Sequence, residues 1–177
     1  MNILVTGASG YIGSQTCKFL YTQGHYIIAV DRTVVKHRYF NEYYSNDYRD
    51  MEVQALLLKV DCVVHIAATS LVGPSVLDPS KYYNNNVAST LALLDACKAQ
   101  GVKRFVFASS AATYGEPTED VCLEADKHEP VNPYGWSKHL FDRRVMRMIE
   151  DEEIPPPQWA GLKFFNVYGP NEYHKGL

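Results

Sequence analysis

Positive charge is not in excess in this sequence. Its 177 residues carry 17 Lys and Arg against 20 Asp and Glu, a net charge of −3, so there is no basic field for nucleic acid and no nucleic-acid partner is expected. Long apolar runs are also missing. The apolar stretches, such as residues 63–68, are interrupted by Lys, Asp or His and fall well short of the ~18 residues of a membrane span, so no membrane partner is expected. The opening MNILVTGASG has no basic segment ahead of an apolar one, and no secretory signal is expected. Cysteine is sparse: Cys17, Cys62, Cys97 and Cys122 form no C-x-x-C pair and have no histidines at zinc-finger spacing. Buried structural thiols, a reducing cytoplasm and no metal are the expectations.

With 46% hydrophobic and 21% charged residues, the composition is that of an ordinary globular chain, and its length suits one domain with its own core. Short β-type runs alternate with helical patterns. Strands are expected at residues 2–6, 26–31, 61–66, 103–108 and 161–166, with a weak signal near Tyr44. Helices are expected at 11–23, 49–58, 80–100 and 134–151, the third with Val87, Leu91, Leu94 and Ala96 on or near one face, and a polar loop at 115–132. Continuous Val, Ile and Phe indicate strands buried on both faces, and their alternation with helices indicates right-handed crossovers. The predicted fold is α/β, a doubly wound parallel sheet of Rossmann type. Ligands of such sheets bind beyond the carboxyl ends of the strands, at the switch point.

Directly after the first strand stands Gly7-Ala8-Ser9-Gly10-Tyr11-Ile12-Gly13. A G-x-x-G-x-x-G pattern between a strand and a helix permits a tight turn and close approach of backbone to a pyrophosphate, with the helix N-terminus facing the phosphates. Asp31 ends the second strand, 18 residues after Gly13. A carboxylate there accepts the hydroxyls of an adenine ribose and repels a 2′-phosphate, which favours NAD over NADP; Arg32, next in sequence, works partly against that preference. Tyr134-Gly135-Trp136-Ser137-Lys138 opens a later helix, with Tyr134 and Lys138 at i and i+4 on one face. An ammonium nearby lowers a tyrosine pKa from about 10, and such a tyrosine can exchange a proton with a hydroxyl. The strand ending at Ala108 runs into Ser109 and Ser110 at the same edge. Among the histidines, His65 is read as a packed neutral imidazole, and His25, His37, His128 and His139 as loop or surface residues.

These motifs, with HIAA (65–68), YYNNNV (82–87), SSAATYG (109–115) and FFNVYGP (164–170), resemble the extended short-chain dehydrogenase/reductase family, in particular its nucleotide-sugar epimerases and dehydratases. The resemblance implies transient hydride transfer with tightly held NAD. It makes Tyr134 the catalytic base, Lys138 the ligand of the nicotinamide ribose, and Ser110 the partner of the reacting sugar oxygen, with Ser109 as the alternative. It sets Asp47 beside the adenine, Ala67 and Ala68 along the cofactor, and Asn86 on the cofactor side. Asn166 falls on the substrate side. Residues 1–108 look like UDP-glucose 4-epimerases. Residues 108–176 look like ADP-glyceromanno-heptose 6-epimerases, in which the lysine matching Lys175 is a second acid/base. The implied substrate is a UDP-hexose, with an ADP-heptose as the alternative.

Dehydratases of this family carry an acidic pair beside the catalytic serine or threonine. Here Ala111 and Ala112 follow Ser110, so epimerisation is preferred. Relatives also carry a C-terminal region that supplies much of the sugar pocket. The expectation is a shortened chain lacking most of that substrate region, with apolar surface left uncovered. A catalytically weak or inactive NAD-binding protein is the rival reading from another class. The helices at 80–100 and 134–151 match those that pair across a dimer in relatives, so a homodimer is expected.

Overall fold

The apolar runs of the sequence become the central strands of a parallel sheet. The computed structural model describes residues 1–117, 121–151, 158–170 and 172. Strands β1 (Asn2–Thr6), β2 (Tyr26–Val30), β3 (Glu42–Tyr44), β4 (Cys62–His65), β5 (Arg104–Ser110) and β6 (Gln158–Phe164) form one sheet in the order β3-β2-β1-β4-β5-β6. Every pairing is parallel. The chain runs outward from β1 to β3 and then returns to β4 on the other side of β1. The β1/β4 border is therefore the switch point, where the loops that follow the two strands diverge.

Alternate residues of the central strands enter two separate cores. On one face Leu4, Ile28, Val63, Phe105 and Phe107 pack with Leu93, Leu94, Cys97, Phe141 and Val145. On the other, Ile3, Val5, Ile27, Ala29, Cys62 and Val64 pack with Cys17. Both pleat faces are covered, which is why these strands read as continuous apolar runs. Cys17, Cys62 and Cys97 are buried free thiols, and Cys122 is partly exposed.

Helices α1 (Tyr11–Thr22), α2 (Met51–Leu56), α3 (Val72–Leu77), α4 (Pro79–Tyr82), α5 (Ser89–Ala99) and α6 (Pro133–Glu150) complete the order. Two differ from the sequence expectation. Helix α3 falls in a segment where no helix is expected. Pro74 lies in its first turn, where the missing N–H has no helical partner in any case. The expected helix at 80–100 contains a π-helical turn at Tyr83–Ala88 between α4 and α5. The extra residue rotates the inward face, so Tyr82, Asn86, Thr90, Leu94 and Cys97 are buried, whereas Val87 and Leu91 are only partly covered. Asp78 starts this helix by accepting the Lys81 N–H at 3.2 Å.

Two strand ends also move. β5 runs on through Ser110, which carries both serines inside the sheet, and β6 spans Gln158–Phe164, which leaves Asn166 in the loop beyond it. No helix among the described residues is long and apolar enough to cross a membrane.

Phe105 is fully buried and lies between His65 and Phe107, with ring centroids 6.2 Å away on either side. Phe105→Ala is expected to destabilise the fold by about 3–5 kcal/mol, read as a lower urea midpoint at unchanged slope. A midpoint equal to wild type would contradict this packing.

Candidate functional site

At the switch point the strand ends open into a crevice of about 770 Å³. Its floor is the turn after β1. Gly7 leaves the strand at φ +71°, and a Cβ on it would lie only 2.7 Å from the Ala67 nitrogen, which leaves no room for one. A Cβ on Gly13 would lie 1.9 Å from the Gly7 carbonyl oxygen. The two glycines therefore let α1 press against the turn with no side chain between. Gly10 donates its N–H to the Gly7 carbonyl at 3.1 Å and begins α1, which has no side-chain cap and no acidic residue in its first turn. The positive end of the helix faces the crevice without a carboxylate of its own. Gly7, Gly10, Tyr11, Ile12 and Gly13 all line this floor. A diphosphate fits such a cradle, because no capping side chain or carboxylate occupies the α1 N-terminus that opens onto it.

Asp31 stands at the end of β2 on the same wall. One carboxylate oxygen accepts the Ser9 N–H at 3.0 Å, and the other accepts the Thr33 N–H and hydroxyl, each at 2.9 Å. Burial raises its pKa, but the hydrogen bonds from Ser9 and Thr33 outweigh that and hold it below the ordinary carboxylate range. An ionised acceptor thus stands beside the glycine turn. Arg32 lines the crevice with a largely exposed side chain, 3.9 Å from Asp47. Asp47 does not line it. Its carboxylate is taken by Arg49, two residues on, through bonds of 2.8 and 2.7 Å. Its neighbours Asn46 and Tyr48 form the wall instead.

Ala67 and Ala68 line the opposite side, the Ala67 N–H held by the Thr6 hydroxyl at 3.3 Å. Asn86 is placed differently from the sequence expectation. It is buried, and its amide clips both backbone groups of Thr69 at 2.9 Å and reaches the Ser137 hydroxyl at 3.0 Å. That leaves Asn85 as the asparagine on the crevice wall. The π-helical turn decides which of the two points inward, and no feature of the NNN run signals it.

Ser110, Tyr134 and Lys138 meet at the far end of the crevice. The Ser110 hydroxyl accepts the Ala112 N–H at 3.2 Å and lies near enough to the Tyr134 phenol to act on its pKa. Burial raises the Tyr134 pKa above its ordinary value, with Ser110 pulling the other way. The ammonium of Lys138 donates to the Ala108 carbonyl at 2.6 Å, and burial lowers its pKa to about 8. The expected lowering of Tyr134 by Lys138 is therefore not what the structure contains: the lysine reaches the end of β5 and desolvation governs the phenol. Ser109 lines the crevice too, but its hydroxyl donates to Asp142 at 2.6 Å, which leaves Ser110 as the serine at Tyr134. Asn166 lines the mouth beyond β6 and is exposed. Lys175 lies outside the described residues.

Behind the wall, His65 is buried between two threonines, Thr6 at 2.8 Å and Thr90 at 3.2 Å. His139, expected at a helix surface, is buried in α6. Among the described residues no group of three or more His, Cys, Asp and Glu could hold a metal ion.

A parallel sheet of this order with a glycine turn at its switch point defines a Rossmann-type α/β fold. The chain belongs to the NAD dependent epimerase/dehydratase family, whose profile matches residues 3–176. It is 39% identical over 175 residues to a UDP-glucose 4-epimerase of Halalkalibacterium halodurans, covering 96% of this chain and 52% of that protein. Among solved structures it is similar to the Thermus thermophilus UDP-glucose 4-epimerase complex with NAD, at TM-score 0.84 and 32% identity, covering 96% of this chain and 57% of the other. It also resembles the Thermotoga maritima UDP-glucose 4-epimerase with UDP-glucose, at TM-score 0.85 and 30% identity, covering 99% and 59%. The chain spans about half the length of the curated relatives it matches.

Burial, aided by the Lys138 charge, pushes the His65 pKa from 6.5 down to about 3. The unfolded chain therefore binds a proton that the folded one refuses. This contribution to stability is present above pH 6.5 and lost as pH falls toward about 3. In an NMR titration the His65 ring nitrogens are expected to keep neutral-ring shifts from about pH 7 to about pH 4. A ring that titrates near its ordinary value would contradict the buried Thr6–His65–Thr90 arrangement.

Proposed function

We propose that this chain forms the cofactor-holding and proton-handling part of an NAD-dependent nucleotide-sugar epimerase, of the UDP-glucose/UDP-galactose 4-epimerase type. One observation carries the reading. The glycine cradle with Asp31, and the Ser110–Tyr134–Lys138 set, face one crevice at the carboxyl edge of one sheet. The first suits a dinucleotide and the second suits a hydroxyl that must lose and regain a proton.

In this reading the turn at Gly7, Gly10 and Gly13, with the α1 N-terminus, holds the cofactor's diphosphate. Asp31 accepts ribose hydroxyls, and its negative charge disfavours a 2′-phosphate. Ala67, Ala68 and Asn85 flank the cofactor, and Arg32 screens the adenine end. When bound, NAD supplies the hydride acceptor and donor of the chemistry. Tyr134 removes the proton of the sugar hydroxyl and later returns it, and Ser110 hydrogen-bonds the same oxygen. Lys138, one helical turn after Tyr134 and buried, holds the nicotinamide ribose in this reading. Ala111 and Ala112 line the crevice beside Ser110 and present no acid to drive elimination, which supports epimerisation over dehydration. The UDP-glucose 4-epimerases match across 96% of the chain, both halves included, which supports a UDP-hexose over an ADP-heptose.

A cytoplasmic location and a homodimer belong to the same proposal. Four free thiols suit a reducing compartment. Trp136, Leu140 and Met146 of α6 and Val76 and Leu77 of α3 are exposed, apolar surface suited to a second copy.

Tyr134→Phe tests the reading. Conversion of UDP-galactose to UDP-glucose is expected to fall by at least about 10²-fold, while NAD binding, followed by calorimetry, stays at the wild-type level. Undiminished conversion by the variant would remove Tyr134 from the proposed role.

A further inference from the structure

One polar group at the site has no part in the scheme above. Asp142 follows Tyr134 and Lys138 at the same four-residue spacing along α6, so the three share one helical face. Its Oδ2 accepts the Ser109 hydroxyl at 2.6 Å. Its Oδ1 is buried and has no hydrogen-bond partner among the described residues. Leaving a buried carboxylate oxygen unpaired is unfavourable, so its presence at this position calls for a compensating charge.

Burial raises the Asp142 pKa, and the Ser109 hydrogen bond and two lysines, Lys163 and Lys138, oppose that rise. From β5 it meets only the neutral Ser109. From β6, Lys163 is the register partner of Ser109 and so stands on the same side of the sheet. Lys163 shares the Asp142 charge, and it also pairs with the His128 ring and lies over the Tyr114 ring at 4.3 Å, and His128 in turn packs against His139 of α6 at 5.5 Å. On its own helix Lys138 stands one turn earlier, on the same face. Lys138 is buried, and its ammonium donates to a neutral carbonyl, that of Ala108.

We propose that Asp142 is a positioning residue of the Ser–Tyr–Lys site: its carboxylate, fastened to Ser109 and aligned with Tyr134 and Lys138 on one face of α6, holds Lys138 in its cationic form. The inference rests on the proposed function for its consequence in turnover, but not for its physical content. Burial pushes Lys138 toward the neutral amine, and the Asp142 charge is what opposes that push. The Ser109–Asp142 bond also ties α6 to the end of β5, one residue before Ser110. The strand end, Tyr134 and Lys138 are thereby held in mutual register.

The test reads Lys138 directly. The side-chain Cε resonances of ¹³C-lysine protein are titrated, with Lys138 assigned by its loss in Lys138→Arg. Asp142→Asn keeps the shape and a hydrogen-bond acceptor for Ser109 but removes the charge. Its Lys138 midpoint is expected to fall below the wild-type value of about 8 by about one pH unit, the low end of what a nearby opposite charge is worth. Asp142→Glu is expected to restore it. An unchanged midpoint in Asp142→Asn, or no restoration in Asp142→Glu, overturns the proposal. If Asp142→Asn does not fold, the wild-type chain serves. A second inflection of the Lys138 resonance at the Asp142 carboxyl titration supports the coupling, and its absence overturns it. NAD binding measured on the same samples keeps the two readings apart: its loss in the wild-type chain would sink the proposed function and leave the Lys138 titration standing.

Discussion

The contact between Gly13 and the Gly7 carbonyl sets the geometry on which the rest of the site depends. A Cβ at residue 13 would stand 1.9 Å from that oxygen, far inside van der Waals contact. Because nothing stands there, α1 begins directly against the end of β1, and its positive end opens onto the crevice. The same turn carries Ser9, whose N–H fixes the Asp31 carboxylate at the end of β2. It also brings Gly7 against Ala67 at the end of β4. Three strand ends are thus tied together by one close backbone approach.

A second constraint acts on the other side of the switch point, where buried polar side chains replace glycines. Asn86 joins the Thr69 backbone to Ser137 of α6. His65 links Thr6 to Thr90, and Asp142 links α6 to Ser109. Each is a specific bond across elements far apart in sequence, made where a polar group would be costly if unpaired. Together they position the helix that bears Tyr134 and Lys138 relative to the strand that bears Ser110. The glycine side leaves an open helix N-terminus at the crevice, and the polar side brings Ser110, Tyr134 and Lys138 to its far end.

The fold was largely legible because its strands are buried on both faces. Runs such as ILVT and CVVH admit few other readings once helices alternate with them. The glycine turn, Asp31, Ser110, Tyr134 and Lys138 were legible for a related reason: each sits where the sheet topology delivers strand and helix ends to one crevice. What escaped depends on contacts that spacing does not encode. The π-helical turn buries Asn86 and sets Asn85 on the crevice wall within a run of identical residues. Arg49 draws the Asp47 carboxylate away from the crevice wall. Lys138 reaches a backbone carbonyl, which no residue pattern announces. Asp142 was open to discovery through its position two turns after Tyr134, yet its hydrogen bond to Ser109 is visible only once β5 and α6 are packed together.

The central claim is that the switch-point cradle and Asp31 form a dinucleotide site that prefers NAD. Calorimetric titration of the chain with NAD and with NADP, side by side, tests it most directly. The account predicts one NAD bound per chain and distinctly weaker binding of NADP, because the 2′-phosphate meets the ionised Asp31. A chain that binds neither, or that binds NADP as well as NAD, would contradict it.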